Sequence, residues 1–124
     1  MKLLVVLASM VLLVGCASSN SVGDAKGSGK IAFYNYSYDK VWASALAAVQ
    51  ESQLTLVAKD KEGGKIIARG NSAVNIGDNV AVFITAVDKS STMVEVAIQR
   101  ENKNSKKPID WSEIVLTKIR ELVK

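Results

Sequence analysis

The chain has 124 residues, with 16 Lys and Arg, 12 Asp and Glu, no His and a single Cys. This length fits one domain and excludes a large multidomain enzyme, and the lack of His removes the commonest general base and metal ligand. One Cys excludes an internal disulfide framework or a Cys-based zinc site, and a formal net charge of +4 is too small to indicate binding to nucleic acid.

The first segment of the chain has the features of an export signal. Lys2 precedes an almost unbroken apolar run from Leu3 to Val14. As a helix, this run would cover roughly 18 Å, which is well short of the ~30 Å hydrocarbon core of a bilayer. A basic start followed by a short apolar run is typical of a secretory signal peptide, which we place at residues 1–15.

The end of this segment resembles the lipobox of bacterial lipoproteins, with Leu13, Val14 and Gly15 preceding Cys16. The resemblance implies that the Cys16 thiol receives diacylglycerol, that a signal peptidase cuts after Gly15, and that the new amino group is acylated, for example with palmitate. Ala17 in place of Asp implies the outer membrane, facing the periplasm, with the inner membrane as the alternative. The other interpretation is a buried core cysteine on an apolar helix.

Residues 16–30 are predicted to form a lipidated, flexible tether. They are rich in Ser, Gly and charge, and Val22 is their only large apolar residue. Such a composition buries too little surface to become ordered. A flexible tether of this length would reach about 20 Å on average, and an ordered N-terminal loop is the alternative.

The folded domain is predicted over residues 31–124 and begins with a strand and a helix. Residues 31–36 have the aromatic and aliphatic content of a strand. Ser37 or Asp39 can cap the Ala-rich helix that follows. One face of this helix carries residues at helical spacing, namely Val41, Ala45, Ala48 and Val49, with Trp42 and Leu46 beside them.

Four strands and a second helix are predicted next. The alternating or apolar segments are residues 54–59, 65–69, 80–87 and 92–100, and polar turns join them. The apolar run at 80–87 indicates a central or covered strand. In the last helix Asp110 and Glu113 have capping-box spacing, and the predicted apolar stripe consists of Trp111, Ile114, Val115, Ile119 and Leu122.

The order β-α-β-β-β-β-α predicts an α+β domain with two layers. Neighbouring strands joined by short turns favour an antiparallel sheet of about five strands. Two amphipathic helices must then bury their apolar stripes on one face of that sheet.

Two segments of the domain are similar to a known group of proteins. The Tyr38-to-Trp42 helix start and the later Asp60-x-x-Gly63-Gly64-Lys65-Ile66 turn resemble those of small bacterial lipoproteins of uncharacterised function. The element order over residues 31–123 also resembles domains of component C of the Bam complex, an outer-membrane-protein assembly lipoprotein. The resemblance implies an envelope domain of βαββββα type and brings no catalytic residues with it.

Acidic residues at predicted turns are the only candidates for catalysis or calcium binding. They are Asp60, Glu62, Asp78 and Asp88. Turn chemistry alone explains acids at these positions, so we predict no metal site, no cofactor and no enzyme activity. A hydrolase that uses a carboxylate pair such as Asp60 and Asp78 is a remote alternative.

Two groups of residues are candidates for a ligand or partner surface. Tyr34 and Tyr36, with Tyr38, are spaced by two and would line one face of a continuous strand, where aromatic rings can stack on sugars. Lys103, Lys106 and Lys107 form a basic loop that could contact anionic headgroups. Ordinary packing and a solvated loop are the respective alternatives.

These patterns together predict a membrane-anchored, non-catalytic binding or scaffold module. Its membrane attachment would be the lipid on Cys16, and its partner an envelope protein rather than nucleic acid. The principal alternative is a module that binds lipid or glycan in a pocket between sheet and helices. The oligomeric state is left open.

Overall fold

The secondary structure follows the predicted order. The structure, a computed structural model, describes residues 21–70, 77–100 and 108–124. A short 3-10 turn at Ser21–Asp24 precedes the following elements: β1 (Lys30–Tyr34), α1 (Tyr38–Glu51), β2 (Leu54–Asp60), β3 (Lys65–Gly70), β4 (Asn79–Asp88), β5 (Ser91–Gln99) and α2 (Trp111–Leu122). The α+β class and the order β-α-β-β-β-β-α are therefore confirmed.

The five strands form one antiparallel sheet in the order β1-β5-β4-β3-β2. The apolar strand β4 lies in the middle, as its composition predicted. β1 and β2 are the two edge strands. β2 is irregular, because its register against β3 shifts between Leu56 and Ala58.

The helix α1 lies where its apolar pattern predicted. Ser37, rather than Asp39, is its N-cap and accepts a hydrogen bond from the backbone N–H of Lys40 at 3.4 Å. The predicted face is fully buried, since Val41, Ala45, Ala48 and Val49 are each 0% exposed. Trp42 is also buried within the main core, beside strand residues of the same sheet face.

The apolar stripe of α2 differs from the predicted one. Trp111, Val115 and Ile119 are buried as expected, but Ile114 is 40% exposed and Leu122 is 37% exposed. Successive residues of a helix are about 100° apart around its axis, so Ile114 lies on a different side of α2 from the buried residues Val115 and Ile119. Leu122 is the last residue of the helix, and Val123, just beyond it, is buried in the core instead.

The second face of the sheet is covered by the N-terminal segment. Val22 is 1% exposed and packs against Ala81, Phe83 and Ala97. We call residues 22–29 the strap, and the side of the sheet on which they lie, opposite the helices, the strap face.

A buried acid fixes the far end of the strap. Glu95 is 2% exposed, and its Oε2 accepts hydrogen bonds from the backbone N–H groups of Gly27 at 2.6 Å and Gly29 at 2.8 Å. Gly29 also passes so close to the Val96 carbonyl that a Cβ would collide with it. The prediction of a flexible tether as far as Lys30 is therefore wrong for residues 22–29, because apolar residues of β4 and β5 provide a site for Val22 that the local composition does not reveal.

Candidate functional site

A groove of about 830 Å³ runs along the free edge of β1, between that strand and α2. Its lining combines the whole of β1 with one side of the helix and the chain that follows it: Lys30 to Tyr36 from the strand side, and Glu113, Leu116, Thr117, Arg120, Val123 and Lys124 from the helix side. Within the described parts of the chain, β5 is the only strand that pairs with β1. Alternate backbone N–H and C=O groups of an edge strand point away from its sheet, and here they point towards this groove.

Tyr34 fixes the strand to the wall of the groove. It is 7% exposed, and its hydroxyl donates a hydrogen bond to the Leu116 carbonyl of α2 at 2.8 Å. Burial raises the pKa of Tyr34 to about 12, and the nearby Arg120 charge opposes this increase. The hydroxyl therefore stays protonated at neutral pH and acts as a fixed link between β1 and α2.

An ion pair joins the first residue of β1 to the residue that precedes α2. Lys30 Nζ lies 2.8 Å from Asp110 Oδ2. Asp110 is also the N-cap of α2, because its side chain accepts from the backbone N–H of Glu113. Hydrogen bonds from Lys30 and Ser112 lower the pKa of Asp110 to about 2, and the same pair raises the pKa of Lys30.

The other end of the groove is basic. Arg120 and Lys124 are both exposed there, and no carboxylate in the described part of the chain forms an ion pair with either. The groove thus offers a backbone edge, an apolar wall around Leu116 and Val123, and two unpaired cations. This combination suits an extended polypeptide with a carboxylate near one end.

The predicted row of tyrosines does not form, because β1 ends at Tyr34. Tyr34 and Tyr36 both line the groove, and the Lys40 ammonium lies 5.5 Å from the centre of the Tyr36 ring. Tyr38 belongs to α1, where it stacks on Trp42 and donates a hydrogen bond to the Lys61 carbonyl.

The other candidates for binding or modification lie outside the described residues. They are the basic loop of Lys103, Lys106 and Lys107, the lipid-attachment residue Cys16 and the peptidase-recognition residues Leu13, Val14 and Gly15.

The acidic candidates for catalysis have structural partners or lie in exposed turns. Asp60 accepts from the backbone N–H of Gly63 at 3.1 Å, and Asp88 accepts from that of Ser90 at 2.9 Å. Glu62 is exposed in the turn between β2 and β3.

Asp78 holds α2 on the sheet. It is 3% exposed, and its Oδ2 accepts from Trp111 Nε1 at 3.0 Å and from an Arg100 nitrogen at 3.2 Å. Arg100 also donates to the Ile109 carbonyl at 2.8 Å, just before the helix. Asp78 therefore works as a buried connection rather than as a free acid.

Asp60 and Asp78 cannot act as a catalytic pair. Asp60 lies opposite Lys65 at the first residue of β3, whereas Asp78 precedes Asn79, which lies opposite Arg69 near its end. The two acids are therefore separated by most of the length of β3, at about 3.4 Å per residue. This separation exceeds the roughly 5–9.5 Å between the paired carboxyl groups of glycosidases. Among the described residues, no group of three or more His, Cys, Asp or Glu side chains could hold a metal ion.

The helical wall of this groove was missed by the sequence analysis. Leu116, Thr117 and Arg120 belong to α2, and their proximity to β1 depends on a contact between elements about 80 residues apart. The spacing of Tyr34 and Tyr36 gave the only signal on the strand side.

Comparison with known proteins gives the family of this chain. No curated protein matches it, and no described helix is long and apolar enough to cross a bilayer. The model of one family does match, over residues 1–101, which is most of the chain and includes the N-terminal apolar segment, the strap and all five strands. The chain therefore belongs to the DUF3568 family, which is described as a protein family of unknown function.

Proposed function

We propose that this protein is a lipoprotein, attached by diacylglycerol and palmitate on Cys16 to the periplasmic face of the outer membrane, with a non-catalytic binding domain. One observation supports the anchor. Lys2, the apolar run and the lipobox have the order of a lipoprotein leader. Two or more acyl chains make such anchoring effectively permanent.

We infer that the binding site is the groove between β1 and α2. The observation that carries this proposal is the edge of β1, whose backbone faces a groove of about 830 Å³. A partner segment that adds as a sixth strand would form main-chain hydrogen bonds with β1, and its alternate side chains would meet Leu116 and Val123. A carboxylate on that segment would pair with Arg120 or Lys124. The resemblance to component C of the Bam complex suggests envelope assembly or maintenance as the setting.

Site-specific photo-crosslinking in intact cells tests this site. A photoreactive amino acid is placed at Thr117, which lines the groove, or at the matched control Ile114, which is exposed on the same helix but does not line it. We expect position 117 to crosslink to one or a few envelope proteins and position 114 to give none of these products. Equal products at both positions, or none at position 117, would contradict the proposed site.

The lipid anchor has a separate test. Cys16→Ser should abolish incorporation of labelled palmitate and leave the leader uncleaved, because the thiol carries the diacylglycerol that the peptidase requires. Continued labelling of this variant would show that the lipid lies on another residue.

The second candidate function is the binding of a lipid or glycan, and the groove volume favours it. Small-ligand sites occupy about 300–1,000 Å³, and the groove lies in this range. Between the centre of the sheet and the helices, in contrast, the described core residues pack closely, so such a ligand would lie along β1 instead. Native mass spectrometry of the membrane-extracted protein would reveal a retained lipid or glycan of defined mass.

A further inference from the structure

We propose that the strap face rests against the phospholipid headgroups of the bilayer, so that the helices point away from the membrane. This inference rests on the proposed lipid at Cys16 and adds the side of the domain that faces the membrane. Its first basis is the length of chain between Cys16 and Val22, where the strap begins. Six residues span at most about 20 Å, whereas a free chain as far as Lys30 would span about 50 Å.

The second basis is the place where this short connection leaves the domain. Val22 packs on Ala81 and Phe83 of β4 and on Ala97 of β5, and the turn at Ser21–Asp24 contacts β3, β4 and β5. The connection therefore starts over the middle of the strap face. The helices lie on the opposite face, against the core side of the same strands.

These two distances together exclude the reverse orientation. To bring the helices to the bilayer, the connection would have to cross about two strand spacings, or ~10 Å, to reach an edge of the sheet. It would then have to pass the sheet, a layer about 10 Å thick with its side chains, and a helix layer about 10–12 Å thick. That path of about 30 Å is longer than the ~20 Å that six residues can span, so a lipid on Cys16 keeps the helices away from the membrane.

The side chains on the strap face suit a headgroup region. Ile31 and Phe33 are 51% and 65% exposed, and their register opposite Glu95 and Met93 places them on the same face as the strap. Lys26 is exposed within the strap itself, as is Asp24. Exposed aromatic and aliphatic side chains on the same face as a lysine are typical of surfaces that lie in the membrane interface, where the amine meets anionic lipid.

Quenching by brominated phospholipids tests the orientation. The full mature chain is extracted from membranes, its lipid is verified by mass spectrometry, and it is placed in phosphatidylcholine–phosphatidylglycerol vesicles with brominated acyl chains. Phe33→Trp reports on the strap face, and Ile114→Trp is the matched control on α2. Trp42 and Trp111 are buried and contribute the same background to both. Because interfacial side chains lie about 5–10 Å into the headgroup boundary, we expect the emission added at position 33 to decrease about twofold or more, and that added at position 114 to stay nearly unchanged.

A lengthened connection provides the second measurement. Twelve Gly and Ser residues inserted between Ala17 and Ser18 would add about 40 Å of reach and should restore at least half of the lost emission. Quenching that is equal at both positions, stronger at position 114, or unaffected by the insertion would overturn the proposed orientation. A lipidated chain without quenching at position 33 would overturn the orientation alone, whereas a chain with no lipid on Cys16 would overturn both the anchor and the orientation.

Discussion

The hydrogen bond between Trp111 and Asp78 allows a quantitative test of how α2 is held on the sheet. Trp111→Phe removes the indole N–H that donates to Asp78 Oδ2 at 3.0 Å, at a site where both residues are almost fully buried. A hydrogen bond to a charged group contributes about 1.5–3 kcal/mol, and the smaller ring leaves a cavity that costs about 1–2 kcal/mol more. We therefore expect the free energy of unfolding to fall by about 3–4 kcal/mol, which corresponds to a decrease of roughly 2–3 M in the urea midpoint for a chain of this size.

Urea unfolding followed by far-UV circular dichroism measures this loss, and a double-mutant cycle separates its two parts. Asp78→Ala removes the oxygen that accepts from the indole, together with the charge that pairs with Arg100. If the hydrogen bond exists as described, the loss in the double variant should differ from the sum of the losses in Trp111→Phe and Asp78→Ala by at least about 1 kcal/mol. Additive losses within about 0.5 kcal/mol would refute a direct interaction between these two side chains.

Three further predictions concern the groove and the turns. Tyr34→Phe should lower the free energy of unfolding by about 1 kcal/mol at neutral pH. Because burial raises the pKa of Tyr34 to about 12, the wild-type chain should also lose stability as the pH rises from 10 through 12, and the variant should not show this loss. Parallel curves of urea-unfolding stability against pH would contradict the prediction. Asp110→Asn keeps a good N-cap and loses only the exposed ion pair with Lys30, so it should cost less than about 1 kcal/mol, whereas Asp110→Ala should cost about 1 kcal/mol more. Since the pKa of Asp110 is lowered to about 2, the contribution of its ion pair should be complete above pH 4 and disappear as the pH falls through 2, which thermal unfolding at several pH values measures. Gly64→Ala places a Cβ against a backbone carbonyl of β4 at a residue with φ +68°, and should lower the free energy of unfolding by about 2–4 kcal/mol. Gly27→Ala is the matched control, because Gly27 has φ +100° but no atom near its Cβ position, and it should cost about 1–2 kcal/mol. Equal decreases in Tm would show that the collision is not the cause.

Much of the fold was predictable because its elements follow from local patterns. The buried face of α1 follows from the spacing of its small apolar residues, and the central position of β4 follows from its uninterrupted apolar run. The strap was missed because Val22 is isolated in a polar segment and its ordering depends on residues about 60 to 75 positions away. β4 carried a clue: Ala81 and Phe83 alternate with Val80 and Val82, so both faces of this strand are apolar.

The candidate site was less predictable than the fold. Tyr34 and Tyr36 were singled out as a possible stacking row, but Tyr34 instead forms a buried link to α2. The groove exists only because a strand near the start of the domain meets a helix at its end, and no local pattern encodes that meeting. The position of Asp78 beneath Trp111 has the same origin, since 33 residues separate the two.

The irregular register of β2 sets a limit on assembly. The shift between Leu56 and Ala58 interrupts the far edge of the sheet, and the exposed charge of Lys59 follows directly after it. Bulges and lysines on an edge discourage a further chain from pairing there. Among the described strands, β2 would therefore be a poor second acceptor edge, so a partner strand that pairs with β1 is expected to bind one per copy and not to link copies into fibres.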